Sequence, residues 1–361
     1  MRVGSLFCIV ALACRTSPEA LAPAPPPDVP DVVATPDVAP DVPLPPSGPG
    51  VQAVVDRQAT DAILGLVDGA RETLDVCQFE LFLTGDVVKV RDALVAAAKR
   101  GVKVRLLLDD EVESNPDMAA ALVAEGIDAK VDYQDARVHA KIWVADGERV
   151  MIGSTNLSGA SLGYNHETNV LVRDPAVVAF LAGWVKALID DPSSHPKPVF
   201  PDPGAVNVAW REGGYLDVAL PRIEAATTRI DLLLYGAYMD PKYKDGPVPD
   251  LAAALYAAAA RGVPVRVVFE HGPPGATGPD QGNADVAEAF EAHGIDVRWD
   301  TTDVVTHAKM LLVDGAALVG SNNWGYGGIV LDHEAGVATS EEAAVQDFSD
   351  YFEERWAEAT D

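Results

Sequence analysis

From residue 51 onward, short apolar runs alternate with alanine-rich amphipathic segments. The four clearest runs have the length and composition of buried strands, and they are residues 74–79, 102–108, 230–235 and 263–269. Segments 92–99 and 251–260 carry apolar residues at helical spacing and end close to glycine, which predicts helices. Strands that alternate with helices predict an α/β architecture.

Two β-hairpins are also predicted. Residues 141–144 and 150–152 flank an Asp146-Gly147 turn, and residues 309–313 and 317–319 flank an Asp314-Gly315 turn. The last segment, 341–358, has the pattern of an acidic amphipathic helix, and we expect it to be a solvated outer face.

These elements occur twice, because the sequence is an internal duplication. The matched segments are 99–108 with 260–269, 125–128 with 293–296, 139–141 with 307–309, 153–156 with 320–323, and 165–167 with 332–334. The offset is about 167 residues from His139 onward and about 161 at the earlier Gly101/Gly262 pair, so an insertion is expected in the Gly/Pro-rich stretch 272–283. A proline-rich stretch at 191–204 marks the seam, which predicts one repeat at 51–195 and a second at 205–361.

The N-terminal residues have a different character. Residues 1–14 resemble a bacterial lipoprotein signal, with an early arginine, a short apolar stretch and small residues before Cys14, which would carry the lipid. An ordinary secretory signal is the alternative. Residues 15–50 hold 12 of the 27 prolines and four copies of Pro-Asp-Val, a composition typical of a disordered tether. A bacterial cell-envelope location, lipid-anchored on the periplasmic side or at the surface, is therefore expected, with secretion as the alternative.

Charge narrows the classes of partner. The 361-residue chain carries 55 acidic and 27 basic residues, a formal net charge of −28. Proteins that bind nucleic acid through phosphate contacts usually show a basic surface, so this balance counts against nucleic acid. Three cysteines are too few for a disulfide framework, and Cys77 lies in an apolar run that predicts burial.

The chemistry is concentrated in a pattern that occurs once in each repeat: His-x-Lys-x-x-x-x-Asp followed by Gly-Ser-x-Asn. The members are His139, Lys141, Asp146, Ser154 and Asn156 in the first repeat, and His307, Lys309, Asp314, Ser321 and Asn323 in the second. The pattern resembles the two HKD motifs of the phospholipase D superfamily over roughly residues 51–361. The resemblance implies two α/β repeats related by a pseudo-twofold axis, with one active site at their interface.

Each of these residue types suits phosphodiester cleavage. A neutral imidazole is a good nucleophile near neutral pH, and a second imidazole can act as general acid and base. By family resemblance, His139 is expected to be the nucleophile and His307 the acid/base. Two lysines can neutralise the phosphoryl oxygens, and the asparagines and serines can donate further hydrogen bonds. Glu167 and Glu334 are expected to accept from histidine ring N–H groups, which would fix the tautomers.

Other polar residues are assigned structural roles. Asp146 and Asp314 are expected to be turn residues of the hairpins rather than reacting groups. His166 and His333 precede the glutamates, but their spacing lacks the pairs typical of zinc sites, so neither a metal nor another cofactor is expected. Trp143 is expected in the core, whereas Trp324 and Tyr326 are expected at the mouth of the pocket.

Three hypotheses for function remain open. The first is a phospholipase D-like phosphodiesterase that hydrolyses or transfers phosphatidyl groups of phospholipids, without a metal, and as a monomer. The second is an endonuclease of the same family acting on DNA or RNA, and the third is a non-catalytic scaffold. Net charge and the lipid-anchor signal favour the first. Specificity for the headgroup is expected to depend on loops 240–250 and 272–283.

Overall fold

The computed structural model describes residues 50–133, 136–196, 206–210, 214–244, 246–271, 280–301 and 303–360. The predicted signal segment, Cys14 and nearly all of the predicted tether lie outside the described residues. So do much of the predicted seam and most of the loop predicted at 272–283.

The first repeat is built around a seven-stranded sheet. Its strands are β1 (Val51–Val55), β2 (Thr73–Gln78), β3 (Lys103–Leu108), β4 (Asp128–Val131), β5 (Lys141–Ala145), β6 (Arg149–Gly153) and β7 (Thr168–Val172). Its helices are α1 (Gln58–Gly69), α2 (Val87–Lys99), α3 (Asn115–Ala124), α4 (Gly159–Gly163) and α5 (Pro175–Asp190). The strand order is β1-β7-β6-β5-β2-β3-β4, parallel from β2 to β4 and antiparallel elsewhere.

The second repeat has the same sheet. Its strands are β8 (Val206–Trp210), β9 (Ile230–Leu234), β10 (Val265–Phe269), β11 (Asp296–Trp299), β12 (Lys309–Val313), β13 (Ala316–Gly320) and β14 (Ala335–Thr339). Its helices are α6 (Gly214–Ala225), α7 (Pro247–Ala260), α8 (Asp280–Glu291) and α9 (Glu342–Glu358), with a π-helical turn at Gly327–Leu331 in the place of α4. The order β8-β14-β13-β12-β9-β10-β11 reproduces that of the first sheet strand by strand. The predicted fold, two α/β repeats related by a pseudo-twofold axis, is confirmed.

Local sequence accounts for the ends of these elements. The alanine-rich helices α2 and α7 are each followed by an arginine and then by Gly101 or Gly262, which adopt φ of +96° and +88°. A left-handed glycine at this position is a common helix C-terminus, since it carries no Cβ penalty. Pro175 begins α5 directly after Asp174, whose carboxylate accepts from the N–H groups of Ala176 and Val177.

The two sheets share one hydrophobic core. Inward-facing residues of both, such as Ile142, Val170, Met310 and Val337, belong to a single buried cluster with the apolar faces of α5 and α9. Two further clusters lie on the outer faces, under α1, α2 and α3 in the first repeat and under α6, α7 and α8 in the second. The layering fixes the sheets against each other and therefore fixes the loops that both sheets contribute to one edge.

The C-terminal helix differs from its sequence-based expectation. Helix α9 was expected to be a solvated face, but Phe348, Tyr351 and Phe352 are buried in the shared core. Most of its charged residues lie on the other side, so an acidic composition does not exclude an apolar stripe that packs into the shared core. In the described part of the chain, no helix combines the length and hydropathy that a bilayer crossing requires.

Candidate active site

The two halves are joined by reciprocal backbone contacts just before the two motif histidines. Val138 forms an isolated parallel bridge with His333, and Thr306 forms the equivalent bridge with His166. The carbonyl of His333 accepts from the N–H groups of His139 and Ala140 at 3.0 and 2.7 Å, and the carbonyl of His166 accepts from His307 N–H at 2.9 Å. Each motif is therefore held by the segment that precedes the glutamate of the other repeat.

This exchange decides which carboxylate contacts which imidazole. His139 Nδ1 lies 2.7 Å from Glu334 Oε1, and His307 Nδ1 lies 3.0 Å from Glu167 Oε2. Both carboxylates are fully buried, and both pairs join different repeats. Because Nδ1 is occupied by the carboxylate, Nε2 of each ring is the nitrogen left to meet a phosphorus atom or a leaving oxygen.

The two histidine–glutamate pairs are not equivalent. Glu167 also accepts from the hydroxyls of Ser154 and Ser161, the latter at 2.6 Å. The duplication places Gly328 where Ser161 stands, so Glu334 lacks that second hydroxyl. Among the described residues, Glu334 Oε2 has no hydrogen-bond partner.

The carboxyl pKa values follow from this difference. Burial alone would raise the pKa of Glu167, but His307, Lys309 and Ser154 hold it below its ordinary value. Burial raises the pKa of Glu334 to about 8, although Lys141 acts in the opposite direction. Glu167 is thus held as a carboxylate more readily than Glu334, because His307, Lys309 and the Ser154 hydroxyl stabilise its charge.

The pKa values of the two histidines are also shifted differently. Burial lowers the pKa of His139 well below its usual value, and Lys141, Lys309 and His307 lower it further. Burial also lowers the pKa of His307, but the Glu167 carboxylate opposes that shift. His139 is therefore held neutral, whereas His307 is the imidazole with a buried anion to stabilise an added proton.

The two lysines approach the same site. Each Nζ donates to the carbonyl of the histidine of its own motif, Lys141 to His139 and Lys309 to His307. Burial lowers the pKa of Lys141 to about 8 and that of Lys309 to about 7, against the effect of the buried glutamates. Two buried lysines next to two histidines form a cluster suited to an anionic oxygen.

Aromatic rings that the sequence analysis missed contact both histidines. Phe79 packs edge-on against His139 at 4.9 Å between centroids, and Tyr235 packs in the same way against His307 at 4.7 Å. Lys141 and Lys309 lie over these same two rings. Phe79 and Tyr235 follow strands β2 and β9, and their matched places in the duplication are the signal that could have found them.

A pair of buried asparagines, also missed, braces these rings. Asn115 accepts from Leu81 N–H and donates to the carbonyls of Phe79 and Asp109. Asn283 repeats the arrangement with Ala237, Tyr235 and Glu270. Both stand in an Asn-x-Asp sequence at the offset of the motif histidines, a match that can be read from the duplication.

The Gly-Ser-x-Asn residues divide into two roles. The Ser154 and Ser321 hydroxyls accept from the N–H groups of Thr168 and Ala335 and so anchor the strands after the glutamates. Their hydroxyl hydrogens are directed at Glu167 and at the Ala335 carbonyl. The amide oxygens of Asn156 and Asn323 are buried and have no hydrogen-bond partner among the described residues. Amide oxygens only accept, so any contact of Asn156 or Asn323 with phosphoryl oxygens would be made by the N–H groups of the same amides.

Asp146 and Asp314 lie at the hairpin turns. They adopt φ of 55° and 49°, a region that aspartate tolerates better than most residues. The Asp146 carboxylate accepts from Arg71, Glu72 and Thr73 N–H, and the Asp314 carboxylate accepts from the equivalent N–H groups of residues 227–229. Each aspartate ties the hairpin to the start of the neighbouring strand.

Several other sequence-based expectations concern the surroundings. Trp143 is buried as expected, but Trp324 does not line the mouth of the pocket. It is buried, and its indole N–H donates to the hydroxyl of Tyr215.

The two histidines that precede the glutamates contact other side chains. His166 lies between Asp56 and Arg355, and His333 stacks against His195. No group of three or more His, Cys, Asp or Glu side chains in the described ranges is arranged to hold a metal ion.

The chain is similar to known proteins both in sequence and in fold. A family model described as cardiolipin synthase, PLD-like domain, matches residues 63–189 and 220–356. The crystal structure of phosphatidylserine synthase from Haemophilus influenzae Rd KW20 superposes with a TM-score of 0.67 over 86% of this chain and 87% of that one. At 11% identity, that likeness concerns the fold.

Two curated relatives show the range of activities. The probable cardiolipin synthase YwiE of Bacillus subtilis (strain 168) is 26% identical over 151 residues, 38% of this chain and 29% of that protein. The 5'-3' exonuclease PLD3 of Bos taurus is 29% identical over 163 residues, 38% of this chain and 33% of that protein. The matched region thus spans about a third of each relative.

Proposed function

The chain belongs to the family described as cardiolipin synthase, PLD-like domain, and we propose that it is a phosphodiesterase that hydrolyses or transfers phosphatidyl groups of phospholipids. The observation that carries the proposal is the pair of cross-repeat contacts, His139 with Glu334 and His307 with Glu167, beside two buried lysines. A lipid substrate is supported by the family description, by the cardiolipin synthase relative and by the net charge of −28.

The proposed reaction has two steps. Nε2 of neutral His139 attacks phosphorus, a P–N bond forms, and the P–O bond to the leaving alkoxide breaks while His307 donates a proton to that oxygen. Water or an alcohol then attacks phosphorus, His307 removes its proton, and the P–N bond breaks to release the product and free His139. Lys141 and Lys309 neutralise the non-bridging oxygens in both steps. This chain of events uses neither a metal nor another cofactor.

The assignment of roles rests on the asymmetry of the carboxylates. The Glu167 carboxylate, with hydroxyl donors from Ser154 and Ser161, supports a protonated His307. His139 faces Glu334, which carries fewer hydrogen bonds, and remains the unprotonated ring that a nucleophile requires. The family resemblance gives the same order.

A nuclease is the second candidate. The observation that favours it is the match to the 5'-3' exonuclease PLD3 of Bos taurus, since the same histidine chemistry would serve a nucleic acid phosphodiester. The acidic balance of the chain weighs against it, because nucleic acid binding depends on neutralising phosphates. A scaffold without activity is the weakest alternative. Burial of two lysines and two glutamates lowers the stability of the fold, and a scaffold would gain nothing in return for that cost.

Attachment and location are part of the proposal. Residues 1–14 are proposed to direct the chain to the bacterial envelope, with lipidation at Cys14 and residues 15–50 as a spacer. A lipid anchor would hold the acidic chain near its substrate. Mass spectrometry of the processed N-terminus in a bacterial host tests this: an acylated Cys14 is expected, and an unmodified chain cut elsewhere would contradict it.

The experiment that tests the function compares four substrates. The full chain is incubated, with EDTA present, with phosphatidylcholine, phosphatidylglycerol, cardiolipin or single-stranded DNA, and the products are followed by mass spectrometry. Release of a headgroup or of phosphatidic acid is expected. Cleavage of DNA alone would support the nuclease, and a folded protein inactive on all four would refute the proposal.

Trapping of the intermediate tests the roles. The His307→Ala protein is expected to accumulate a phosphorus-linked His139, whereas His139→Ala should form no adduct, and each should lose at least about a thousandfold in turnover. His293→Ala is the matched control, because His293 is exposed and stacks on Tyr256. An adduct on His307 in the His139→Ala protein would reverse the roles.

A further inference from the structure

Four exposed apolar side chains form a pseudo-symmetric set at the active-site edge. Few large apolar side chains in the described residues are exposed, and these four have exposures of 38% for Phe82, 76% for Tyr164, 48% for Tyr238 and 45% for Leu331. The duplication matches Phe82 with Tyr238 and Tyr164 with Leu331. We call these four residues the apolar rim.

Each rim residue lies three positions from a residue that contacts a motif histidine. Phe82 follows Phe79, and Tyr238 follows Tyr235, the two rings packed on His139 and His307. Tyr164 and Leu331 precede Glu167 and Glu334 by the same interval. Three residues span at most about 11 Å, so the backbone of every rim residue is within that distance of a residue touching the reacting groups.

Backbone hydrogen bonds hold the rim in place. Phe82 N–H donates to the carbonyl of Leu157 at 2.8 Å, and Tyr238 N–H donates to the carbonyl of Trp324 at 2.7 Å. Leu157 and Trp324 each follow the asparagine of a Gly-Ser-x-Asn segment. The exposed rings are therefore carried by fixed loops around the site rather than by free ends.

A basic and aromatic cavity is lined by residues that begin three positions after Tyr238. It has a volume of about 480 Å³ and is lined by Pro241, Lys242, Tyr243, Lys244, Gly246 and Tyr326. Tyr243 stacks on Tyr326 at 3.6 Å between centroids, and Lys242 lies over the Tyr243 ring. Aromatic rings next to lysines suit the boundary between acyl chains and phosphate headgroups.

We propose that the apolar rim inserts into the surface of a zwitterionic phospholipid bilayer, so that a diester is taken from the membrane and not from solution. The inference rests on the proposed lipid function. It adds that the enzyme binds its substrate while that substrate is part of a membrane. With a net charge of −28, the chain as a whole is repelled by anionic lipid, so its contact with a bilayer depends mainly on apolar burial. The same charge argues against a nucleic acid on this face.

A binding experiment tests the rim independently of catalysis. Full-length protein carrying Cys14→Ser, which removes the proposed acylation site, is floated with phosphatidylcholine vesicles. The variant with Phe82→Ser, Tyr164→Ser, Tyr238→Ser and Leu331→Ser is expected to lose about a hundredfold in partitioning, a few-fold for each side chain. Raising sodium chloride to about 0.5 M should not weaken binding of the parent, because apolar contact is not screened.

Val123→Ser is the matched control. Val123 is an apolar residue of similar exposure, 54%, on helix α3, and it lies away from the rim in sequence. Its vesicle binding should stay within about twofold of the parent. Equal vesicle binding by parent and rim variant would overturn the proposal. So would a rim variant that loses single-stranded DNA binding or self-association, measured by light scattering, while keeping its vesicle binding.

Turnover separates this inference from the proposed function. The rim variant is expected to hydrolyse the soluble diester bis(p-nitrophenyl) phosphate as the parent does and to lose turnover of vesicle phosphatidylcholine. Loss on both substrates would show that the rim supports the site itself, which contradicts docking. If the parent binds vesicles through the rim but cleaves no lipid, the proposed function fails and the docking surface stands.

Discussion

His139 and Glu334 are 195 positions apart, yet His139 Nδ1 and Glu334 Oε1 lie 2.7 Å from each other. The reciprocal contact joins His307 of the second repeat to Glu167 of the first, which are 140 positions apart. Neither repeat contains a complete histidine–carboxylate pair. The candidate site is therefore built by the folded pair of repeats and not by either repeat alone.

Exchange of Glu334 for glutamine should increase stability. Because burial raises the pKa of Glu334 to about 8 from 4.5, the folded state holds more protons between these values, and stability falls as pH rises through that window. Glu334→Gln removes this loss while its amide oxygen can still accept from His139. We expect parent and variant to be similar near pH 4.5 and the variant to gain on the order of 1–3 kcal/mol at pH 8, measured by urea unfolding.

Glu167→Gln provides the control of opposite sign. The lowered pKa of Glu167 stabilises the fold above pH 4.5, and that stabilisation is lost as pH falls through the folded pKa. Glu167→Gln should therefore be destabilised at pH 7. If both glutamine variants shifted stability in the same direction, the asymmetry of the two pairs would be contradicted.

The pH profile of turnover should be a narrow bell. On the acid side, kcat/KM rises as Glu334, with a pKa of about 8, becomes the carboxylate that accepts from His139. On the alkaline side it falls as Lys309 and Lys141, with pKa values of about 7 and about 8, lose their protons, and as the proposed acid His307, whose pKa is lowered by burial, becomes neutral. Stopped assays across pH 5–10 should find the maximum at about pH 7–8.

Variants identify the two limbs. Glu334→Gln should remove the acid limb, because the amide does not titrate. Lys309→Arg should move the alkaline limb upward, since arginine stays protonated, even where absolute turnover is lower. An acid limb that is unchanged in Glu334→Gln would exclude Glu334 as its source.

Removal of the Asp146 carboxylate should affect the fold and not the chemistry. It accepts from three backbone N–H groups at a position with φ of 55°, so Asp146→Ala should lower the free energy of unfolding by about 2 kcal/mol. Asp146→Asn, which tolerates this conformation, should lower it less. Turnover per folded molecule at low temperature should stay within about twofold, and a thousandfold loss in a folded protein would assign Asp146 to catalysis.

Asn115 should matter to both stability and rate. Asn115→Ala deletes three hydrogen bonds, two buried and one partly buried, around Phe79, which should cost about 2–4 kcal/mol. The loosened Phe79 ring should lower kcat about tenfold through its contact with His139. Asn283→Ala should act in the same way through Tyr235. Unfolding and steady-state kinetics check both, and unchanged kcat in a folded Asn115→Ala protein would exclude the bracing role.

Many of the strands and both hairpins could be predicted from local sequence, because each pattern occurs twice. The strands β2, β3, β9 and β10 and both hairpins appear as apolar runs and Asp-Gly turns, within a few residues of their observed bounds. The flanking strands β1 and β8, and the helices that follow them, were not predicted, because their places in the sheets depend on pairing with distant segments. Their pairing with β7 and β14 joins residues more than a hundred positions apart.

The sequence by itself determined that this is a duplicated α/β chain with two His-x-Lys motifs of the phospholipase D kind. Only the tertiary structure decided that Glu334 contacts His139 and Glu167 contacts His307, and that Phe82, Tyr164, Tyr238 and Leu331 are exposed. Two repeats with the same motifs carry no local signal for which carboxylate meets which imidazole. That choice depends on how the two sheets pack, which is a property of the whole core.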